Sequence, residues 1–361
     1  DTAQPDTTVP DATQPDTTVA DTAQPDTTVP DATQPDTTVA DAAQPDTASP
    51  DAGPCFNSAL FFDGTDDYVH VPDDNDIDIN GPITIEAWIR PTDVSGERAI
   101  VAHSNPNYPN GYQLLLSDGY LRFQIYNGSG VHQAPSVDGT GILLQAGRWY
   151  HVAGTYDSET LKVFVNGYLS ASNDCGAQTI STTGQALRVG ARTVSPYSYF
   201  AGTIDEVRIS AVARYQANFV VPAAPFADDQ DTRLLLHFDE GSGQSVDDAS
   251  GNVSDGRLGS GSGSDSADPA WVQVPCIPDR DIALSCDELF SFAPGYELCA
   301  ERSDECEFYL SSGKTMSCTT VCKQRGTDCN TAHGNTTHCD YSASAVDCDT
   351  LYDDIICVCA R

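Results

Sequence analysis

The sequence predicts an all-β protein: an antiparallel jelly-roll sandwich, with a disordered N-terminal spacer before it and a small disulfide-rich α+β module after it. Three observations predict this. Short runs of alternating apolar and polar residues fill the middle of the chain, separated by clusters of Asn, Gly, Asp and Pro. Ten of the 13 cysteines lie between Cys286 and Cys359. Residues 1–54 repeat a short acidic unit.

Residues 1–54 are predicted to be a disordered acidic pentapeptide-repeat spacer. Asp recurs at every fifth position, mostly with Pro, Thr, Val, Ala and Gln, and the segment has no Lys, Arg or aromatic residue. Such a segment buries too little apolar surface to offset its ordering entropy. At about 3 Å per residue, an extended chain of this length reaches on the order of 150 Å.

The predicted sandwich spans residues 55–276. In residues 83–90, isoleucines and an alanine alternate with Thr, Glu, Trp and Arg, which is the period-two pattern of a half-buried strand. Residues 149–155 and 161–165 are predicted as two further strands. The dipeptide Asn166-Gly167 supplies the positive φ that a tight hairpin turn requires.

Residues 59–71, 83–90, 149–167 and 202–209 together resemble the laminin G-like group of the concanavalin A-like lectin/glucanase superfamily. The resemblance implies an extracellular jelly roll that binds a glycan or a protein rather than an enzyme. In many relatives, segments like those at 232–272 come before the first strand. Here we expect them to complete the same sandwich in permuted order, with a truncated second sandwich as the alternative.

Asp205 is the most notable carboxylate. On strand parity it shares a face with Val207 and Ile209, and a carboxylate beside aliphatic side chains is costly unless it is paired. The resemblance implies that it ligates a structural Ca²⁺ together with groups from the first strand. The expected metal ligands are Asp205, Asp63, Asp66 and Asp67. The alternative is a carboxylate that accepts backbone N–H groups at a strand end.

Four other aspartates, at 73, 74, 76 and 78, are expected to form a solvated acidic loop rather than a second metal site. Nothing in the sequence marks any of the seven histidines as a ligand or base. Aromatic residues in two proline-containing loops are candidate platforms for sugar rings, because an aromatic face stacks on a ring and a hydroxyl binds it. These candidates are Tyr108, Tyr112, Tyr197 and Tyr199. The alternative is that they only anchor their loops.

The density of cysteines after residue 276 is typical of a disulfide-stapled secreted module, here residues 277–361. Cys55 and Cys276 flank the sandwich and could pair, since domain termini often lie close together. The sequence predicts a helix at residues 317–326 and a strand at residues 355–359, each with two cysteines on one face. This arrangement resembles the cysteine-stabilised α/β motif. That resemblance implies the bridges Cys318–Cys357 and Cys322–Cys359, or the same cysteines crossed. Cys175 is left over.

The formal net charge of -36 argues against a nucleic-acid binder, because such proteins need a basic face. The sequence has no paired glutamates on one strand and no nucleophile or phosphate-binding motif, so we expect no enzyme. The leading hypothesis is a binding or adhesion protein for an extracellular glycan or protein, secreted or at the cell surface. This hypothesis includes an outer-membrane lipoprotein. The chain starts at Asp1 without a signal sequence, so we expect any signal or lipid anchor to lie upstream of it. The alternatives are a structural component of a matrix or fibre and an accessory domain of a hydrolase.

Overall fold

Two eight-stranded antiparallel sheets form the sandwich. The computed structural model describes residues 55–105, 107–134, 141–192, 198–253, 255–334, 338–339 and 344–361. The predicted spacer and Tyr197 lie outside these residues. None of the helices in the described ranges is long and apolar enough to cross a membrane.

Sheet A contains β1 (Phe56–Asp63), β3 (Ile83–Pro91), β8 (Tyr150–Tyr156), β9 (Thr160–Val165), β10 (Tyr168–Asp174), β12 (Ala201–Ser210), β13 (Thr232–Leu236) and β16 (Ala270–Pro275). Sheet B contains β2 (Val69–Val71), β4 (Glu97–Asn105), β5 (Asn110–Ser117), β6 (Tyr120–Asn127), β7 (Val131–Ala134), β11 (Leu187–Val189), β14 (Ser245–Val246) and β15 (Gly256–Leu258). The order in sheet A is β10-β9-β8-β3-β12-β1-β16, with β13 also on β12, and in sheet B it is β14-β15-β2-β11-β4-β5-β6-β7.

The four strands between residues 232 and 275 are distributed over both sheets. β13 pairs with β12 and β16 pairs with β1 in sheet A, while β15 pairs with β2 in sheet B and carries β14 at the edge. These strands therefore complete one sandwich, as the permuted order requires.

The main core lies between the sheets, and its members follow the predicted alternation. Ile83, Ile85 and Ile89 of β3 point into it, against residues such as Leu114 and Phe123 from sheet B. A second apolar cluster covers the opposite face of sheet A, and its buried members are Ala59, Trp88, Trp149, Phe226, Leu235, Val274 and Ile277. Sheet A is consequently buried on both faces, which leaves one face of sheet B outside the two cores.

The cysteine-rich tail follows a 3₁₀ turn at Ile277–Asp279. It contains α1 (Cys286–Phe290), β17 (Glu297–Glu301), β18 (Glu305–Ser311), α2 (Cys318–Lys323), β19 (Cys329–Gly334), β20 (Ala345–Val346) and β21 (Asp354–Ala360). Ser317 caps α2 by accepting the Thr320 backbone N–H, and Gly326, with φ of 67°, follows its last turn. The five strands form one sheet in the order β17-β18-β21-β19-β20.

Six disulfides staple the described residues. One, Cys55–Cys276, joins the two ends of the sandwich. The tail contains the other five, Cys286–Cys306, Cys299–Cys339, Cys318–Cys357, Cys322–Cys359 and Cys329–Cys348. Cys318 and Cys322 thus connect α2 to β21 in the uncrossed arrangement, and Cys175 keeps a free thiol.

Candidate functional site

Asp205 does not point into the core between the sheets, because β12 contains a bulge. Asp205 pairs with Trp88 and Arg208 pairs with Glu86, so one extra residue of β12 lies between these pairs. Glu206, with φ of 52°, takes up the extra residue. Parity beyond the bulge is therefore reversed, and Asp205 shares the outer face of sheet A with Trp88. The expectation that Asp205 sits beside Val207 and Ile209 is corrected accordingly.

The structure also separates Asp205 from Asp63. Asp63 lies opposite Ala201 on the neighbouring strand, four residues from Asp205, and this spacing corresponds to about 13 Å along a strand. A guanidinium group satisfies Asp205 instead, since Arg280 forms an ion pair with its carboxylate and both side chains are fully buried. The Arg280 guanidinium carbon lies 4.1 Å from the Trp149 ring centre. Burial raises the pKa of Asp205 to about 7 despite this partner.

Two other carboxylates on the outer face of sheet A are buried with cationic or imidazole partners. Glu86 is fully buried and contacts Arg208 and His151. Glu206 is fully buried and accepts a hydrogen bond from His237, at 2.8 Å. These carboxylates stabilise the packing of the second cluster, and none is open to a substrate as the acid or nucleophile of a glycosidase would be.

Asp63, Asp66 and Asp67 do lie together, at the turn after β1. One carboxylate oxygen from each is within 4.8 Å of the other two. Asp67 is buried and accepts a hydrogen bond from the Asp63 backbone N–H at 2.6 Å. Burial and the negative charges of Asp63, Asp66 and Asp268 raise the pKa of Asp67 to about 6. A purely oxygen-based, mutually repelling donor set of this kind fits a Ca²⁺ ion, which would neutralise it.

The predicted tyrosines do not form a common platform. Tyr108 is 71% exposed. Tyr112, in contrast, is buried in the core and donates its hydroxyl hydrogen bond to the Ile77 carbonyl at 2.8 Å, so its ring cannot stack on a sugar. Tyr199 is half-buried in a bridge to Ala191. Tyr197 lies outside the described residues.

A row of side chains that sequence reasoning missed crosses the outer face of sheet B. Register partners stand side by side on one face, so successive pairings define a transverse line. Its members are Ser245, Arg257, His70, Arg188, Ala102, Gln113, Gln124 and Gln133. We call it the polar row. From Arg257 to Gln133 it spans six strand intervals, or about 29 Å.

One half of the polar row is a ladder of amides. The Gln113 side-chain amide donates to the Gln124 carbonyl oxygen and, at 2.9 Å, to the Tyr126 hydroxyl. The Gln124 amide donates to Gln133 at 2.6 Å. Gln113 and Gln124 are buried while Gln133 is half-buried. The amides are thus fixed by one another, and Gln133 presents the ladder to solvent.

The other half of the row is cationic and more accessible. Arg257, His70 and Arg188 are adjacent and half-buried. Among the described residues neither arginine forms a salt bridge, since both donate to backbone carbonyls, Arg188 to Arg192 and Arg257 to Gly259 and Gly261. Arg188 also stacks over the Tyr68 ring at 4.1 Å. Burial and then the charges of Arg257 and Arg188 lower the pKa of His70.

Arg188 and Arg257 thus form no salt bridge in the described residues, although the chain has 53 acidic and 17 basic residues. The Ser260 hydrogen bond and, to a smaller extent, the charge of Arg257 lower the pKa of exposed Asp265. Arg257 and Arg188 are the two register neighbours of His70, about 10 Å apart across two strand intervals, so one anion above His70 lies between both guanidinium-bearing strands. The sequence signal that could have revealed the polar row is a polar residue between two apolar ones in several short runs, such as 69–71 and 187–189. The arrangement favours a ligand that carries both hydroxyl groups and negative charge.

Comparison with known proteins supports the fold. Residues 63–218 match the laminin G model of the Concanavalin A-like lectin/glucanases superfamily. A proposed carbohydrate binding protein from Bacteroides ovatus is 20% identical over 63% of this chain and 62% of its own, with a TM-score of 0.45. This chain therefore spans less than two thirds of that structure. No curated protein sequence is significantly similar to the chain.

Two further solved structures are similar at the level of the fold. The CBM40 of a Ruminococcus gnavus IT-sialidase, solved with α2,3-sialyllactose, is 15% identical over 45% of this chain and 95% of its own, with a TM-score of 0.35. Domains LG4-5 of the mouse laminin α1 chain are 20% identical over 56% of this chain and 55% of their own, with a TM-score of 0.36.

Proposed function

We propose that this chain is an extracellular binding protein, secreted or tethered to a cell surface, that recognises a glycan bearing carboxylate or sulfate groups through the polar row of sheet B. The observation that carries this proposal is the pair of half-buried arginines, Arg188 and Arg257, that flank His70 without a salt bridge in the described residues. The disulfides support an oxidising compartment outside the cytosol.

The chemistry of the row matches such a ligand in two ways. Guanidinium groups bind carboxylates and sulfates through paired, charge-assisted hydrogen bonds. Amide groups both donate and accept, so Gln133 suits the hydroxyl groups of neighbouring sugar units. The accessible members on the two sides of the buried middle of the row, Arg188 and Gln133, lie four strand intervals or about 19 Å apart, a distance that an oligosaccharide rather than a single sugar spans. The alternative function, a structural component of a matrix or fibre, would not require unpaired cations on this face.

The proposal predicts binding to oligogalacturonate and to dextran sulfate, but not to neutral dextran. Replacing Arg188 or Arg257 by Gln should weaken binding at least about tenfold, because each change removes a charge-assisted hydrogen bond of about 1.5 to 3 kcal/mol. Arg233→Gln is the matched control, since Arg233 also donates only to carbonyls but lies on β13 of sheet A. Isothermal titration calorimetry at fixed ionic strength measures the affinities. Equal affinity for neutral dextran, or no effect of either arginine variant, would contradict the proposal.

Affinity should also increase as the pH falls from 7 towards 5. His70 is neutral at pH 7 because burial and its two arginines lower its pKa, and a bound anion favours the protonated form. Ligand binding is therefore accompanied by protonation of His70, so a lower pH increases the affinity. His70→Gln should remove this pH dependence while leaving the affinity at pH 7 nearly unchanged. A wild-type affinity that is flat or falls over this range would argue against an anion beside His70.

We further infer that Asp63, Asp66 and Asp67 hold a Ca²⁺ ion that fixes the turn after β1. Ca²⁺ should raise the free energy of unfolding, by about 2.7 kcal/mol at a hundredfold excess over Kd, and Asp67→Asn should abolish the increase. Without Ca²⁺, the pKa of Asp67 is higher in the folded chain than in the unfolded chain, so the folded chain binds the proton more tightly. The free energy of unfolding should therefore decline as the pH rises from about 4 to 6. Thermal unfolding with Ca²⁺ or chelator tests both points, with exposed Asp304→Asn as the control. Loss of the Ca²⁺ response in Asp304→Asn as well, or its survival in Asp67→Asn, would reject this site.

A further inference from the structure

Two carboxylates and one imidazole meet where the loop between β2 and β3 crosses the end of β4. Asp73 and Asp78 come from the loop and His103 from β4, and one ligand atom of each lies within 4.8 Å of the other two. The His103 side chain is only 1% exposed, whereas that of Asp73 is 40% exposed. The group therefore has a buried imidazole at its base and a carboxylate at its mouth.

The sandwich core holds this arrangement in place. His103 pairs with Tyr112 on β5, and their rings form an edge contact with centres 5.3 Å apart. The Tyr112 hydroxyl donates to the carbonyl of buried Ile77, one residue before Asp78. The same tyrosine thus positions both the strand that carries His103 and the loop that carries Asp78.

The distance between His103 and Asp73 fits two ligands of one metal ion. The His103 Nε2 and Asp73 Oδ1 atoms are 3.3 Å apart. A charge-assisted hydrogen bond between such groups is shorter, about 2.7 to 2.9 Å. Two ligands at about 2.0 to 2.1 Å from a tetrahedral zinc ion are separated by about 3.4 Å.

A second observation is independent of that distance. The Asp78 Oδ1 atom is buried and has no hydrogen-bond partner among the described residues. Buried polar atoms in folded proteins nearly always have a partner. Since Asp78 is a member of the group, its unsatisfied oxygen indicates that a binding partner completes it.

We propose that Asp73, Asp78 and His103 form a zinc-binding site, separate from the calcium site and from the polar row. An imidazole nitrogen with two carboxylates is a donor set for Zn²⁺, whereas Ca²⁺ takes oxygen ligands. Three protein ligands leave a fourth position for water or for a ligand group. The site differs from the sequence-based expectation of a purely solvated acidic loop.

The test uses the full chain after chelator treatment, with Co²⁺ as a spectroscopic substitute and Zn²⁺ in calorimetry, both in excess Ca²⁺. We expect one equivalent of Zn²⁺ per chain and a visible Co²⁺ band without thiolate charge transfer. His103→Gln and Asp78→Asn should each weaken Zn²⁺ binding at least about a hundredfold. Circular dichroism verifies folding, and Asp78, which is partly exposed, provides the variant that disturbs the core least.

Two matched variants test whether an exposed histidine or the free cysteine binds the zinc ion instead. His338→Gln changes an exposed histidine in the tail and Cys175→Ser removes the free thiol. Both should bind Zn²⁺ as the wild type does. Unchanged zinc affinity in folded Asp78→Asn and His103→Gln, loss of binding in Cys175→Ser, or displacement of Zn²⁺ by Ca²⁺ would each overturn the proposal.

Discussion

Replacing Arg280 by Met is expected to lower the free energy of unfolding by about 3 to 5 kcal/mol at pH 8, because it leaves the buried Asp205 carboxylate without its cation. The loss should shrink towards pH 5. Without Arg280 the pKa of Asp205 rises further, so the carboxyl becomes neutral and the uncompensated charge disappears. Urea unfolding at both pH values measures the effect through its midpoint.

Two variants separate the ion pair from simple loss of volume. Asp205→Asn combined with Arg280→Met removes both charges and should recover much of the stability lost in Arg280→Met alone. Arg302→Met is the control, because its side chain is 52% exposed and its ion pairs lie at the surface. Additive losses in the double variant would show that the ion pair has no special role. A Ca²⁺ stabilisation that survives in Asp67→Asn but is lost in Asp205→Asn would instead point to a metal at Asp205.

Removing the Cys55–Cys276 disulfide by a double Ser substitution is expected to cost about 5 kcal/mol. The bridge closes a loop with a sequence separation of 221, and the entropy of the unfolded chain that a disulfide removes grows with loop length. Cys329–Cys348, with a separation of 19, provides the comparison. Its removal should cost about 2 kcal/mol less in the same model. Denaturant unfolding of both variants measures the two losses of unfolding free energy. An equal or smaller loss for the variant without Cys55–Cys276 would contradict the dependence on loop length.

The fold was largely predictable because alternation and turn composition are local signals. The pattern in residues 83–90 identified β3, and the residues at 232–272 join both sheets, as the sequence order suggested. The resemblance to the cysteine-stabilised α/β motif implied Cys318–Cys357 and Cys322–Cys359 or the crossed pairs, and the structure contains the uncrossed ones. For the strands, the information lay within a few neighbouring residues.

The site was less predictable because it depends on register and on long-range partners. A bulge at Glu206 reverses the parity that placed Asp205 inward, and Arg280, which compensates it, is 75 residues away. The polar row likewise requires the pairing of strands as distant as β2 and β15. Periodicity shows that His70 faces away from the core, but not that Arg188 and Arg257 stand beside it.

A crystal structure of the chain with bound oligogalacturonate tests the central claim most directly. The account predicts a ligand carboxylate within hydrogen-bond distance of both the Arg188 and Arg257 guanidinium groups, above His70, with further sugar units extending towards Gln133. A ligand bound at the exposed Tyr108 loop, or on the sheet A side of the sandwich with the arginines unoccupied, would contradict it.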